Sequence, residues 1–126
     1  MEELKPARTS QGRSRTVHPW WQGGVVYQIY VRSFYDRNGD GIGDLAGVLA
    51  KLDYIVDLGA DAIWLSPITV SSNVDWGYDV VDYYNIDPAL GTMEDFERLL
   101  EACNQKGLRL LMDLVPNHTS SLHPWF

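Results

Sequence analysis

Three short, nearly continuous apolar runs separated by helix-period segments constrain the fold of this chain most strongly. The runs are "GVVYQIYVRSF" (24–34), "DAIWLSP" (61–67) and "LRLLMDLV" (108–115). Strands that are apolar throughout are typical of parallel sheets with both faces covered. Between the runs, apolar residues recur every three or four positions, as they do on one face of a helix. The sequence therefore predicts the order β-α-β-α-β.

Both helical segments carry signals for their ends. In the first segment the apolar residues fall at 45, 48, 49, 52, 55 and 56, and Gly59 follows where a left-handed residue is expected after a helix. In the second, Thr92 and Asp95 form a capping-box pattern, and Gly107 follows the apolar face. Because βαβ connections are right-handed, the three strands are expected to lie parallel.

Two α/β architectures fit this order: an open doubly wound sheet, and the N-terminal portion of an eight-stranded TIM (β/α)8 barrel. Neither G-x-G-x-x-G nor G-x-x-x-x-G-K-[ST] follows a strand, so the usual phosphate-binding loop is missing. That absence favours the barrel. The residues from Ile68 to Gly91 are predicted to form a long loop, and loops of that length are more often functional than idle.

Charge and composition exclude several classes of function. The formal net charge of −7 over 126 residues argues against a nucleic-acid partner. Residues 1–18 are predicted to be a flexible leader without the apolar stretch of a secretory signal, and residues 19–126 to form one domain. No run approaches the roughly 18 apolar residues of a membrane span. We expect a cytoplasmic chain without a membrane partner, in which the lone Cys103 is buried.

The segment "DRNGDGIGD" (36–44) places oxygen-bearing groups at alternate positions. An EF-hand loop has the same spacing but ends in a Glu at position 12, which here is Gly47, and it follows a helix rather than a strand. We therefore predict a structural Ca²⁺ or Mg²⁺ site in a strand-to-helix loop, held by Asp36, Asn38, Asp40, the carbonyl of Ile42, and Asp44. The alternative is a glycine-rich turn in which Asp44 caps the following helix.

With that loop after "YQIYVRSF", and with "DWGYDVVDYYNIDPALGT" and "LMDLVPNHTSSLHPWF" further on, the sequence resembles the α-amylase family of glycoside hydrolases. It is most similar to the branch of α-glucosidases and oligo-1,6-glucosidases. The segment "DLVPNH" fits the family pattern D-x-V-x-N-H, and "DWGYD" fits D-x-G-Y-D. The family often has Pro where Val31 stands, a small departure. The resemblance runs from about residue 20 to residue 126 and implies a TIM barrel.

The resemblance also implies roles for individual residues. Asp75 and Tyr78 match the residues that hold the sugar ring to be cleaved, and His118 matches a histidine that donates to a hydroxyl of the same sugar. Asp113 matches a buried acid that orients an arginine, and Asn117 matches a framework residue beside the site. Taken singly, each has a structural explanation: a core tyrosine, a turn-forming aspartate or a loop histidine.

The function implied is retaining cleavage of α-glucosidic bonds in oligosaccharides, through a covalent glycosyl-enzyme intermediate. In the family the nucleophile and the acid/base follow the fourth and fifth strands, so no residue here takes a catalytic role. We expect the chain to be an N-terminal third of the barrel, inactive alone, with the rest of the barrel as its partner. The alternatives are a non-catalytic sugar-binding module and a small metal-binding module.

Overall fold

The computed structural model describes residues 18–126, so the leader predicted for residues 1–18 lies outside the described residues apart from His18. This part of the chain contains five strands and four helices. They are β1 (Val26–Ile29), α1 (Val31–Phe34), α2 (Leu45–Ala50), α3 (Leu52–Asp57), β2 (Ala62–Leu65), β3 (Thr69–Ser71), β4 (Val80–Ile86), α4 (Met93–Gln105) and β5 (Arg109–Met112).

The central feature is a three-stranded parallel sheet in the order β1-β2-β5. The two edge strands pair with opposite sides of β2, and their registers align Gln28, Trp64 and Leu111 in one row across the sheet. The crossovers pass through α2 and α3 and then through α4. The predicted β-α-β-α-β order is thus confirmed for these three strands.

The hydrophobic core lies between this sheet and the helices. Leu45 and Ile55 from the first crossover, Ile63 and Leu65 from β2, and Leu99 from α4 are all fully buried. Cys103 joins the same core, and burial raises the pKa of its thiol to about 11, which confirms the prediction of a buried side chain. Burial of apolar area is the main stabilising contribution here.

The opposite face of the sheet is open within the described residues. Trp64 and Leu111 are each 39% exposed, and Val26 at the start of β1 is 40% exposed. In a parallel α/β sheet both faces are normally covered. The helices therefore protect only one face of the part of the chain that the structure describes.

The helix ends agree with the sequence patterns. The Thr92 side chain accepts from the N–H of Asp95, and the Asp95 carboxylate accepts from the N–H of Thr92, so the capping box is confirmed. Gly59 and Gly107 both adopt positive φ, at 86° and 71°. The first helix, however, divides at Lys51, whose N–H bonds to Val48 O at 3.0 Å. A tighter local turn there keeps the apolar stripe facing the sheet.

Two predicted boundaries are wrong. The first strand ends at Ile29 instead of continuing to residue 34, and a helical turn, α1, follows it. Tertiary contacts override the β-rich composition, because the Arg32 guanidinium forms an ion pair with Asp87 at 3.0 Å and the Arg32 carbonyl accepts from Gly43 N–H at 2.7 Å. The third strand is shorter than predicted and ends at Met112.

The predicted loop from Ile68 to Gly91 contains an antiparallel hairpin of β3 and β4. Thr69 pairs with Ile86 and Ser71 with Val80, and the register shifts on both sides of Val70. Asp and Asn are poor strand formers, so the polar residues of β4 concealed it in the sequence. No helix among residues 18–126 has the length and apolar character needed to cross a membrane.

The backbone of the first connection approaches α2 so closely that Gly47 has no room for a side chain. A Cβ on Gly47 would lie 1.9 Å from the carbonyl oxygen of Tyr35. We predict that Gly47→Ala lowers the free energy of unfolding by about 3 kcal/mol, because backbone atoms must move to admit the methyl group. Urea unfolding followed by circular dichroism measures the change.

Ala50→Ser is the matched control, since Ala50 lies exposed at the end of the same helix. Its effect is expected to stay within about 0.5 kcal/mol. Equal stability of the Gly47→Ala variant and the wild type would contradict the close approach.

Candidate functional site

The carboxyl ends of β2 and β5 bring a tyrosine, an aspartate and a tryptophan together. Asp113 follows β5 directly, and its Oδ2 accepts from the Tyr78 hydroxyl at 2.5 Å. Its Oδ1 accepts from the indole Nε1–H of Trp64 at 2.7 Å. Because parallel strands end at the same edge, the segments after β2 and β5 meet there. Asp113 therefore joins two loops that are 35 residues apart in sequence.

His118 lies against the same tyrosine. Its Nε2 is 3.1 Å from the carbonyl oxygen of Tyr78, and its Nδ1 is 3.1 Å from Nδ2 of Asn117. A carbonyl only accepts and an amide nitrogen only donates, so these contacts assign the proton of neutral His118 to Nε2. The structure thus brings together four of the five residues predicted for the sugar site: Tyr78, His118, Asp113 and Asn117.

Asp75, the fifth, begins the tight turn that ends at Tyr78. Its carbonyl accepts from Tyr78 N–H at 2.9 Å, and the central residues Trp76 and Gly77 have φ values of 56° and 97°. Two positive φ angles define a primed turn, which favours glycine. A Cβ on Gly77 would lie 3.0 Å from the Pro67 carbonyl oxygen. The exposed Asp75 carboxylate makes no hydrogen bond or ion pair with any residue from 18 to 126.

The Tyr78 hydroxyl is held in its neutral form. Its hydrogen bond to Asp113, together with burial and the negative charges of Asp113 and Asp75, raises the pKa of Tyr78 to about 12. Loss of the phenolic proton would place a third negative charge between two carboxylates. Tyr78 therefore acts as a hydrogen-bond donor with a fixed ring orientation.

A hollow of about 580 Å³ adjoins the cluster on the side of His118. Its lining includes His118 and Asn117 together with Tyr83, Tyr84 and Trp125, but neither Asp75 nor Tyr78. Within the described residues, Asp75 and Tyr78 thus face a different part of the surface from this hollow.

Two residues that hold this site, Trp64 and Tyr83, were not predicted from the sequence. Trp64 was part of an apolar strand, and only the strand register shows that its indole reaches Asp113. Tyr83 donates from its hydroxyl to the carbonyls of Val115 and His118, at 2.7 and 3.0 Å, and so fixes the segment that carries the histidine.

In the loop predicted to bind a metal ion, the side-chain oxygens accept hydrogen bonds from backbone N–H groups of the same loop. Asp36 accepts from the N–H groups of Gly39 and Gly41, both at 2.7 Å, and these bonds, that from Gly41 foremost, lower its pKa. Asp40 accepts from Ile42 N–H at 2.8 Å and Asn38 from Asp40 N–H at 3.0 Å. No group of three or more His, Cys, Asp or Glu side chains within residues 18–126 converges as a metal site.

Asp44 closes this loop as a helix cap. Its Oδ1 accepts from Gly47 N–H at 2.6 Å, and its Oδ2 from the N–H groups of Arg37 and Asn38. The capping role, given as the alternative to metal binding, is therefore confirmed. The donor set nevertheless consists of carboxylate, amide and carbonyl oxygens, the ligands that hard cations prefer.

Parallel strands with crossover helices, and polar side chains gathered where β2 and β5 end, define the site-bearing edge of an α/β-barrel protein. The family model for the alpha amylase catalytic domain matches residues 28–126. The chain belongs to the alpha-amylase family of glycoside hydrolases.

The relatives and solved structures support the same assignment. A probable oligo-1,6-glucosidase 2 of Bacillus subtilis (strain 168) is 60% identical over 107 residues, and the oligo-1,6-glucosidase of Parageobacillus thermoglucosidasius is 58% identical. Each match covers 85% of this chain and 19% of the relative. The chain thus spans about a fifth of the length of these relatives.

Among solved structures, the trehalulose synthase MutB from Pseudomonas mesoacidophila MX-45 is 52% identical, with a TM-score of 0.85. A trehalose-6-phosphate hydrolase mutant from Bacillus licheniformis is 54% identical, with the same TM-score. Each match covers 86% of this chain and 20% of the other. These likenesses confirm the TIM-barrel fold, of which the chain forms the N-terminal part, and exclude the open doubly wound sheet.

The hydrogen bond between Tyr78 and Asp113 predicts a measurable pKa. Tyr78 is expected to titrate at about 12, and Asp113→Asn to lower that value, because the variant removes the negative charge beside the hydroxyl. The ¹³Cζ resonances of a tyrosine-labelled chain, with Tyr78→Phe to assign the signal, measure both.

The folded-state pKa of Tyr78 is raised, so its contribution to stability is complete below the ordinary tyrosine value of about 10. That contribution is lost as the pH rises from there to about 12. A Tyr78 signal that titrates like free tyrosine would contradict the contact with Asp113.

Proposed function

We propose that this chain forms part of a retaining enzyme that cleaves α-glucosidic bonds of oligosaccharides, and that it binds the sugar ring through Asp75, Tyr78 and His118. The names of its relatives, oligo-1,6-glucosidases and a maltase, support the substrate class. MutB mutants solved with sucrose and with glucose support a sugar as the ligand.

One observation carries this proposal: the segment after β5 meets the turn after β3 around Tyr78. His118 contacts the Tyr78 carbonyl, and Asp113 accepts from the Tyr78 hydroxyl. Three residues before Tyr78, the exposed Asp75 carboxylate has no hydrogen-bond partner among residues 18–126. A sugar ring offers hydroxyl donors to a carboxylate and an apolar face to an aromatic ring. Sites for small ligands combine apolar or aromatic walls with a few well-placed polar groups.

Bond cleavage needs more than this cluster. A retaining glycosidase uses two carboxyl groups about 5 Å apart, one as nucleophile and one as an acid with a raised pKa. Both oxygens of Asp113 accept hydrogen bonds from side chains, and the pKa of Asp79 is lowered rather than raised. These two carboxylates therefore hold the site in place, and we assign them no part in the chemical step.

The proposal predicts sugar binding without turnover by the 126-residue chain. Isomaltose and maltose are expected to shift the amide resonances of Gly77, Tyr78 and His118, with dissociation constants of roughly millimolar order, since binding at about −4 kcal/mol corresponds to 1 mM. Asp75→Asn is expected to weaken binding about tenfold, because it removes a charged acceptor of sugar hydroxyls. No release of p-nitrophenol from p-nitrophenyl α-glucoside is expected.

Asp57→Asn is the control for this experiment, since Asp57 lies exposed on α3, away from the sheet edge. Shifts confined to other regions, or equal binding by the Asp75→Asn variant, would reject the sugar site. Clear turnover by the purified chain would reject the division between binding and chemistry.

We further propose that the 36–44 loop binds one Ca²⁺ or Mg²⁺ through Asp36, Asn38, Asp40, the Ile42 carbonyl and Asp44. Three observations support it: the oxygen-only donors, their alternate spacing, and the open space around Gly39 and Gly41, where a Cβ would meet no atom within 4 Å. When bound, the cation would neutralise charge and fix the loop. The carboxylates now accept from backbone N–H groups, so binding requires some of them to turn outward.

Calorimetric titration tests the cation site. Ca²⁺ or Mg²⁺ at 100 times its dissociation constant is expected to stabilise the fold by about 2.7 kcal/mol, because it binds only the folded loop. Asp40→Asn is expected to reduce that gain, while Asp57→Asn leaves it unchanged. Absence of both heat and thermal stabilisation at millimolar cation would reject the site.

The cytoplasmic location and the lack of a nucleic-acid partner stay predictions.

The expected partner, the rest of the barrel, also belongs to this proposal. The uncovered row of Gln28, Trp64 and Leu111 is the face on which such strands would pack. The matched solved chains support it, since this chain covers 20% of their length.

A further inference from the structure

Asp79 is the most heavily hydrogen-bonded carboxylate in the described part of the chain. Its Oδ1 accepts from Ser71 Oγ at 2.9 Å and from Asp75 N–H at 3.1 Å. Its Oδ2 accepts from Val74 N–H at 3.1 Å and from Ser72 Oγ. One side chain thus gathers four donors from the eight residues that precede it.

The environment of Asp79 favours its charged form. The residue is 8% exposed, and burial alone would raise its pKa. The bonds from Ser72, Val74, Asp75 and Ser71 together outweigh burial and lower the pKa well below the ordinary range. A buried carboxylate held as an anion by four donors is a rigid anchor for the groups that donate to it.

The loop anchored by Asp79 is strained. Within residues 18–126, the non-glycine residues with positive φ are Asn73, at 58°, and Trp76, at 56°. Asn tolerates this conformation, but a bulky Trp adopts it only where the surroundings impose it. Both residues lie between Ser72 and Asp79, and the strained Trp76 directly follows Asp75.

The same anchor reaches the segment that carries His118. Ser72 Oγ lies 3.3 Å from Ser120 Oγ, and Ser120 N–H donates to the Val80 carbonyl at 2.9 Å. Ser120 is 4% exposed and lies two residues after His118. Asp79 therefore lies where three parts of the chain meet: the strained loop, the start of β4 and the segment that carries His118.

We propose that Asp79 is a positioning residue for sugar binding, which holds the 72–79 loop so that Asp75 and Tyr78 face the sugar together. The inference rests on the proposed function. Asp79 makes no contact with the sugar in this scheme. It fixes Asp75 through the backbone N–H of that residue and leaves the Asp75 carboxylate free. Without the anchor, the loop relaxes from its left-handed conformation, and the two ligand groups separate.

Asp79→Asn tests the inference, because the variant keeps the size of the side chain but turns an amide NH₂ toward N–H and O–H donors. The amide protons of Val74 and Asp75 are expected to move to higher field, because one of them loses its acceptor oxygen and the other donates to a neutral amide oxygen instead of a carboxylate. Isomaltose affinity, measured by resonance titration of the 126-residue chain, is expected to fall about tenfold, as for the loss of one charged hydrogen bond.

Asp82→Asn is the matched control. Asp82 lies on β4 and likewise accepts from a backbone N–H, that of Tyr84 at 2.8 Å, and from a neighbouring side chain, Asn85. The control is expected to keep wild-type isomaltose affinity and wild-type amide shifts at Val74 and Asp75. If Asp79→Asn does not fold, Ser72→Ala decides instead, with an expected loss of about threefold, because it removes one of the four donors.

The outcomes separate the two proposals. If the wild-type chain binds isomaltose and both the Asp79→Asn and Ser72→Ala variants bind it with the same affinity, the inference is overturned and the proposed function stands. Weaker binding without a change in the Val74 and Asp75 amide shifts also overturns it, since the loss then does not act through the anchor. A wild-type chain that binds no isomaltose overturns the proposed function, and the inference with it.

Discussion

Parallel pairing of β2 with a neighbour on each side is the constraint on which the rest of the structure depends. It places the ends of β2 and β5 at one edge, so that Asp113 and the loop before Tyr78 come within hydrogen-bonding distance. Within residues 18–126 the pairing is stabilised from one side, by the core that Ile63 and Leu65 form with the helices. Without that core, the bond between Tyr78 and Asp113 would not offset the entropy of ordering two distant loops.

Four aspartates, three near this edge and one in the first loop, show how the environment gives the same side chain different hydrogen-bonding roles. Asp79 is buried and accepts four hydrogen bonds, Asp113 accepts from two aromatic residues, and Asp36 accepts from N–H groups of its own loop. The Asp75 carboxylate accepts no hydrogen bond from any residue that the structure describes. A carboxylate whose acceptor positions are already used contributes rigidity, whereas a free one can accept from a ligand. This division leaves Asp75 as the member of the set with acceptor positions open for the proposed sugar.

Local signals predicted the elements with strong end markers. The capping box at Thr92 and the left-handed residues Gly59 and Gly107 are determined by neighbouring residues, so the sequence showed them. The turn of α1 depends on an ion pair between Arg32 and Asp87, 55 residues apart, and no local pattern encodes such a contact. The β3–β4 hairpin was missed because polar residues interrupt its apolar pattern.

The cluster at the sheet edge was predictable only through a motif, and the motif did not indicate the residues that hold the cluster in place. Asp75, Tyr78 and His118 stand in short recognisable segments, but the register that brings Trp64 beneath Asp113 exists only once the sheet has formed. The orientation of the loop carboxylates was likewise beyond reach, because residue spacing cannot distinguish a cation ligand from an acceptor of backbone N–H groups.

Gly43 and Gly47, which have no side chain, affect how this part of the molecule unfolds locally. The carbonyl oxygens of Val31 and Tyr35 occupy the space in which a Cβ on these glycines would lie, at 2.1 and 1.9 Å. The backbone around α1 is therefore in direct contact with the backbone at the start of α2. Local unfolding of either helix would expose the other to solvent. These segments should exchange their amide hydrogens as one cooperative unit.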